Sequence, residues 1–342
     1  MRNKVLLISA AVVLLLVPIF AGCAPTPTVT PEKPIEISFA CFTPPTSSLG
    51  MTSEYWAKRV EEVTGGRIKV NRYWGGTLLK GPKIYEGVVS HIADTGVSVI
   101  GFTPGRFPLW QAMDISIGFR SAHVANRVQW EVFQKFKPEE WAETHVLVLF
   151  ACTPCSIWSN TAIRSVDDMK GLEIRSTGFT AQMVEALGGT PVGAPQAEAY
   201  EMLQKGIVDG AWSSVDVLMG WKQAEVTKYL TLVGSYVSTF FIVMNLDTWN
   251  SLPKDIQKSI DGLAEEVMEW SATSWERRHN EGLQYARDHG LEIITLSPAE
   301  MTRWNQALKP VLDDYVARME AEGLPGREFL DEILKLKEKY GK

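Results

Sequence analysis

The side chains considered first for covalent or metal chemistry in this 342-residue chain are its four cysteines, its five histidines and the adjacent acids Asp167-Asp168. Cys152-Thr153-Pro154-Cys155 has the spacing of a redox pair. A thioredoxin-like pair starts a helix after a strand. Here the pair ends an apolar run, 146–151, and Ser156-Ile157-Trp158 follows. A structural disulfide or two plain thiols fit that context better than redox catalysis. The histidines, at 91, 123, 145, 279 and 289, are scattered without metal-ligand spacing. The acid pair stands where a helix would begin, so capping accounts for it better than acid–base catalysis. There is no Gly-x-Ser-x-Gly elbow, phosphate loop or dinucleotide fingerprint. No cofactor and no metal are expected, and a hydrolase or oxidoreductase is disfavoured.

The N-terminus points to an address. Arg2 and Lys4 precede an apolar run over 5–17, and small residues follow before Cys23. That order is a secretory signal. Phe20-Ala21-Gly22-Cys23 resembles a bacterial lipobox, with Phe20 where Leu is usual. Cys23 is therefore expected to carry lipid, and an uncleaved membrane anchor is the alternative. The proline-dense stretch over 23–34 stays extended and reads as a tether. Loss of residues 1–22 takes two positive charges from the net −6, giving −8. An acidic chain of this kind excludes nucleic acid as a partner. Cys41, Cys152 and Cys155 remain for the fold, an odd count that leaves at least one thiol free.

Positions for any site come from the hydrophobic pattern. Residues 35–41, 68–70 and 95–100 read as strands, with helices over 54–63 and 81–90 between them. That order predicts an α/β domain with a largely parallel sheet. A helix over 124–136 and a fully buried strand over 146–151 follow. A second α/β block begins near 165, with a strand over 172–175, a helix over 179–187, and a strand into a loop over 208–212. The strand-like run 236–245 could return the chain to the first domain. Ile256, Ile260, Leu263, Val267 and Trp270 form one apolar stripe. The stripe predicts a long helix over 253–289 that tolerates Gly262, about 55 Å at 1.5 Å per residue. Two helices broken near Gly282 are the alternative. Ser297-Pro298-Ala299-Glu300 carries a cap, a first-turn proline and a capping-box acid.

The second block contains a specific series. Asp168-Met-Lys-Gly-Leu-Glu-Ile-Arg175 is followed by Ala186-Leu-Gly-Gly-Thr-Pro191, Glu198-Ala-Tyr200, Leu203-Gln-Lys-Gly-Ile-Val-Asp-Gly210 and Lys228-Tyr229-Leu230. With Val63-Thr-Gly-Gly-Arg67 and Gly75-Gly76-Thr77-Leu78, this series resembles the substrate-binding proteins of tripartite ATP-independent periplasmic (TRAP) transporters, the DctP-like family, over roughly 35–310. The resemblance implies a two-domain periplasmic-binding-protein-like α/β fold with crossing hinge strands and a long domain-spanning helix. The expected division is 35–151 with 241–280, and 152–240 with 281–308, followed by C-terminal helices over 309–342.

The resemblance also implies a role for Arg175, pairing with a ligand carboxylate. A guanidinium offers a fixed fork of donors that matches two carboxylate oxygens. Where the family continues Gln-Glu-Asn-Pro, this chain has Ala211-Trp212-Ser213-Ser214, so Ser213 replaces the family asparagine with a shorter reach. The stretch before Ser159-Asn160 lacks the second basic residue of dicarboxylate receptors. The expected ligand is therefore a monocarboxylate with an apolar or aromatic body, facing Trp158, Trp212 and Phe179. Cys155, Trp74 and Ser98 are further candidates, as are the loop 43–48 and the segment 98–103. The expected function is an extracytoplasmic, lipid-anchored receptor that closes on a small organic acid and passes it to TRAP permease subunits, without catalysis. Three rivals are a receptor for an ATP-driven transporter or sensor kinase, an exported enzyme using Cys152 and Cys155, and a structural envelope lipoprotein.

Overall fold

The computed structural model describes residues 33–341. The signal-segment and Cys23 readings lie outside those residues. The described strands are β1 (Ile35–Cys41), β2 (Ile68–Tyr73), β3 (Thr95–Val99), β4 (Thr144–Ala151), β5 (Ser156–Ser159), β6 (Glu173–Ser176), β7 (Thr190–Gly193), β8 (Gly210–Ser213), β9 (Tyr229–Leu232), β10 (Thr239–Asn245) and β11 (Glu292–Thr295). They form one sheet in the order β2-β1-β3-β10-β4 and a second in the order β11-β9-β5-β8-β6-β7. Each sheet is covered by helices, which gives two α/β lobes.

The largely parallel sheet expected for the first lobe is instead mixed. β1 pairs parallel with β2 and β3, while β10 pairs antiparallel with both β3 and β4. The cause is the return of the chain: β10 comes back from the second lobe and inserts between β3 and β4. All seven of its residues are buried, as a central strand covered on both faces requires. β5 plays the reciprocal part, lying antiparallel between β8 and β9.

Two segments cross between the lobes, 152–155 from β4 to β5 and 233–238 from β9 to β10. They bind each other: Cys152 N donates to Ser238 O at 3.0 Å and Cys155 N to Tyr236 O at 2.8 Å. The crossing is thus a short hydrogen-bonded ribbon. Cys152 and Cys155 sit within it as buried free thiols, their sulfurs 3.6 Å apart, and Cys41 is a third buried thiol. Burial, with Cys155 adjacent, pushes the Cys152 thiol up, which disfavours the reactive thiolate.

The helix Ser48–Val63 begins earlier than expected because Ser47 caps it, its hydroxyl accepting from Gly50 N at 3.0 Å. Leu49, Trp56, Ala57 and Val60 give it a buried face at helical spacing. The long helix also differs from expectation. Lys254–Asp261 and Ala264–Asp288 are separate helices, and the interruption lies at Gly262-Leu263. The second helix runs unbroken through Gly282, where a Cβ would stand 2.6 Å from Val215 O. Gly282 is there because the helix touches the second lobe, and Gly262 marks the break. Past Val267 the buried stripe continues through Ser271 and Trp275, while Trp270 is half-buried and stacks on Tyr55 at 4.3 Å.

The acid pair caps and braces. Asp168 accepts from Ser165 N and Oγ at 2.8 and 3.0 Å, a capping box, and Asp167 pairs with Lys170 and Arg303. Ser297 caps the helix Pro298–Ala321 as its sequence predicts. Glu300 does not complete that box; it accepts from Val166 N and Arg303. This helix crosses the boundary read at 308/309 without a break. After it, Gly326–Tyr340 packs back on the first-lobe helix Ala122–Phe136.

Candidate functional site

Parallel strands leave their loops together at the carboxyl end of a sheet, where α/β folds place ligands. A cleft with a cavity volume of about 80 Å³ lies at such ends in both lobes. The first lobe contributes Phe42 and Thr43 after β1, Ser47 and Ser48 at a helix start, Val99 at the end of β3 and Phe102 after it. The second lobe contributes Arg175 and Thr177 from the end of β6, Gln196, Ser213 at the end of β8, and Ser214, Asp216 and Val217 after it. Phe240, at the start of β10, and Trp275, on the long helix, close one side. Their rings stack at 5.5 Å, and Phe42 and Phe102 meet at 5.4 Å.

Arg175 is the one cationic side chain among the described residues lining this cleft. Its strand holds it between β7 and β8, opposite Val192 and Ala211. It is 3 % exposed. Nε donates to Ala194 O at 3.0 Å, and its terminal nitrogens have no hydrogen bond and no ion pair among the described residues. Burial lowers its pKa to about 10, with Tyr236 opposing, so it remains charged at neutral pH. A buried, uncompensated cation is costly. The Gln196 amide nitrogen and Trp275 Nε1 are further buried donors without a partner in the cleft lining. An anion with apolar substituents is the species this arrangement stabilises.

One acid shares the cleft. Asp216 is buried, and its Oδ2 accepts from Ser48 Oγ across the lobes at 2.5 Å. Burial raises its pKa, while Ser214, Ser48 and Arg278 pull it down. A second contact between lobes is Gly178 against Gly101. With φ +55°, Gly178 lies so close that a Cβ there would stand 2.5 Å from Gly101 O.

The structure brings together Arg175, Ser213 and parts of the loops 43–48 and 98–103. It places the other expected residues elsewhere. Side chains alternate along a strand, so Ser213 on β8 meets the cleft and Trp212 faces the opposite way. Trp212 is in the core, edge-on to Tyr236 at 5.3 Å and Trp304 at 5.9 Å. Trp158 fills the second-lobe core and donates through Nε1 to Gln223 Oε1 at 2.8 Å. Cys155 is in the crossing ribbon, and Ser98 Oγ donates to Gly81 O at 2.8 Å. Trp74 packs edge-on to Phe39 at 6.5 Å, and Phe179 packs half-buried against the large core. The aromatic walls are instead Phe42, Phe102, Trp221, Phe240 and Trp275. Strand parity argues against Trp212 from sequence alone. Nothing local marks Trp221 or Trp275, because their elements reach the cleft only through tertiary packing. No group of three or more His, Cys, Asp or Glu suited to a metal is found among the described residues.

The sequence matches the family described as "Bacterial extracellular solute-binding protein, family 7" (DctP) over residues 39–319. It is 25% identical to the C4-dicarboxylate-binding periplasmic protein DctP of Rhodobacter capsulatus, over 85% of this chain and 89% of that protein. A TRAP periplasmic solute-binding protein of Desulfovibrio salexigens DSM2638, solved as an open complex with the C-terminus of a symmetry mate in its ligand-binding site, superposes with a TM-score of 0.82. The two are 34% identical, covering 90% of this chain and 97% of that one. A TRAP solute-binding protein of Rhodoferax ferrireducens T118, in complex with copurified benzoate, superposes with a TM-score of 0.86 at 26% identity, covering 90% and 98%.

Proposed function

The chain belongs to family 7 of the bacterial extracellular solute-binding proteins, the DctP receptors of TRAP transporters, and from that premise we propose that it captures a small monocarboxylate with an aromatic or apolar body. The observation that carries this reading is Arg175: a buried cation in an aromatic-walled cleft that forms no ion pair among the described residues. A monocarboxylate supplies the missing charge, and the rings take its body. A second carboxylate would enter a lining with no second cation and with Asp216 already present. Benzoate in the Rhodoferax relative supports the reading, and the dicarboxylate named for the Rhodobacter relative is the competing ligand class.

The proposed cycle needs no chemistry on the solute. The acid enters between open lobes, Arg175 takes the carboxylate, and closure desolvates the pair, which strengthens it. The membrane permease then favours the open state and receives the ligand. Differential affinity for the two states sets how far the solute can drive closure. In this reading the crossing segments 152–155 and 233–238, next to the expected divisions at 151/152 and 240/241, act as the hinge.

Lipid on Cys23 would hold the receptor beside its permease and raise its effective concentration there. Intact-mass measurement of the membrane fraction checks this: a diacylated chain starting at Cys23 is expected, and a soluble chain cleaved elsewhere rejects it. Calorimetric titration with benzoate, branched aliphatic acids and succinate tests the ligand class. Tight succinate binding with no monocarboxylate binding overturns it.

A further inference from the structure

Asp216 is the cleft residue that an acid-binding role leaves unexplained. A buried carboxylate in the same cavity as an anion's partner repels the ligand, so it needs a reason to be there. One of its oxygens is used: Oδ2 accepts from Ser48 Oγ at 2.5 Å. The other, Oδ1, is buried and has no hydrogen-bond partner among the described residues. Nearly all buried polar atoms in folded proteins are satisfied, and a buried acceptor left unpaired carries its full desolvation cost. The residue lines the cavity that also holds Arg175, Gln196 and Trp275. Those three present donors, whereas Oδ1 is an acceptor without a donor. Ser214, Ser48 and Arg278 all favour the ionised form of Asp216, yet no donor among the described residues meets hydrogen-bond geometry at Oδ1.

We infer that Asp216 accepts a hydrogen bond from a hydroxyl group on the ligand, so that the preferred solutes are hydroxylated monocarboxylates, with the carboxylate on Arg175 and the hydroxyl on Asp216 Oδ1. This rests on the reading of Arg175 given above. The pairing is polar at both ends and apolar between, matching a cleft with Arg175 and Asp216 among aromatic rings. A site built to bond a hydroxyl discriminates strongly against the analogue lacking it, because the protein acceptor is then left unpaired in a closed site. Ser48 gives the contact a second consequence. Its bond to Oδ2 fixes the carboxylate from the opposite lobe, so the acceptor is in place only when the lobes have met.

The test is calorimetric titration of the purified protein with matched sets. Benzoate, phenylacetate and 4-methylpentanoate are each compared with their hydroxylated isomers and the corresponding methyl ethers. At least one hydroxylated isomer is expected to bind about ten-fold or more tightly than its parent, with the gain lost in the ether, which cannot donate. Asp216→Ala is expected to bring the ratio of hydroxylated to parent affinity close to one. Asp216→Asn, closer in shape and a weaker acceptor, is expected to lower it in part. If parents bind and depend on Arg175 but no hydroxylated isomer is preferred, the hydroxyl assignment falls and the carboxylate site stands. An ether that binds as well as its alcohol, or a preference that survives in Asp216→Ala, also overturns it. An ammonium-bearing analogue binding more tightly than the alcohol would show that Asp216 reads charge instead. Binding by none of these acids overturns both readings. The wild-type comparison of alcohol with ether needs no variant and decides the matter even where Asp216→Ala fails to fold.

Discussion

Arg175 is a side chain whose burial works against the unliganded protein. It gives up water for one carbonyl bond, to Ala194, and pairs with no carboxylate among the described residues. Its removal should therefore separate function from stability. Arg175→Met is expected to abolish acid binding, on the order of 100-fold or more from loss of a buried charged pair, while leaving the unliganded melting temperature unchanged or higher. Arg175→Lys should recover only part of the affinity, since a point charge lacks the fork. Titration and thermal unfolding of the same samples check both halves, and a large drop in melting temperature would mark Arg175 as structural. The tryptophans divide in the opposite sense. Trp212 is 1 % exposed between Tyr236 and Trp304, so Trp212→Ala should cost about 3–5 kcal/mol of stability by opening a cavity. Trp275→Ala, on the cleft wall, should weaken binding as well. Arg175 was legible because it sits in a motif with fixed spacing. The ring lining was not, since composition reports twelve tryptophans without saying which face of which element carries each.

Most strands and helices of the first lobe followed from local pattern, because their burial alternates at the period of the element that carries it. The helix Ser48–Val63 repeats at three to four, while β1 alternates only over Ile37–Phe39 before Ala40 and Cys41 are buried as well. Elements whose order depends on a distant partner were harder to read. β9 and β11 are four-residue strands that pair parallel with each other, and neither run is long enough to show a period. The break at Gly262 and the continuity at Gly282 were also not separable by residue type, since both are glycine in a helical pattern. Packing separates them. Gly282→Ala should push the long helix away from Val215 and cost about 1–3 kcal/mol as overpacking; Gly262→Ala, with a Lys258 O at 3.3 Å as its nearest atom, should cost less. Denaturant unfolding of the two variants compares them directly. The helix Gln111–Asp114 offers a pH test. Asp114 accepts from Thr239 N and Oγ1 at 2.9 and 2.5 Å, tying this helix to the start of β10. Burial pushes its pKa up to about 7. With the folded value above the unfolded one, near 4, its contribution to stability is full below about pH 4 and is lost as pH rises through 7. Wild type relative to Asp114→Asn should therefore lose stability between pH 4 and 8, by a few kcal/mol at most. A pH-independent difference in urea midpoints would reject the shift.

At the scale of the molecule, the question is what the lobes do when a ligand arrives, and the contact between Gly178 and Gly101 gives a handle on it. The loop after β6 carries Gly178, two residues beyond Ser176, and the turn after β3 carries Gly101, so the pair adjoins Thr177 and Phe102, which line the same cleft as Arg175. A Cβ at 178 would stand 2.5 Å from Gly101 O and 3.0 Å from its Cα, both backbone atoms that cannot swing aside. Contact at this distance exists only with the lobes together. The crossing ribbon, held by Cys152–Ser238 and Cys155–Tyr236 backbone bonds, can bend without losing either sheet. Gly178→Ala should then tax the closed state specifically. Alanine at φ +55° costs about 1–2 kcal/mol in either state, and the clash adds to that only on closure. The expected outcome is a weakened affinity that exceeds any fall in unliganded stability, together with a smaller ligand-induced decrease in radius of gyration by small-angle scattering. Wild type should compact on saturation with a bound acid, and Arg175→Met should not compact at all, because it lacks the interaction that favours the closed form. If Gly178→Ala binds and compacts like wild type, the two loops do not meet on closure and the hinge must swing the lobes along another path.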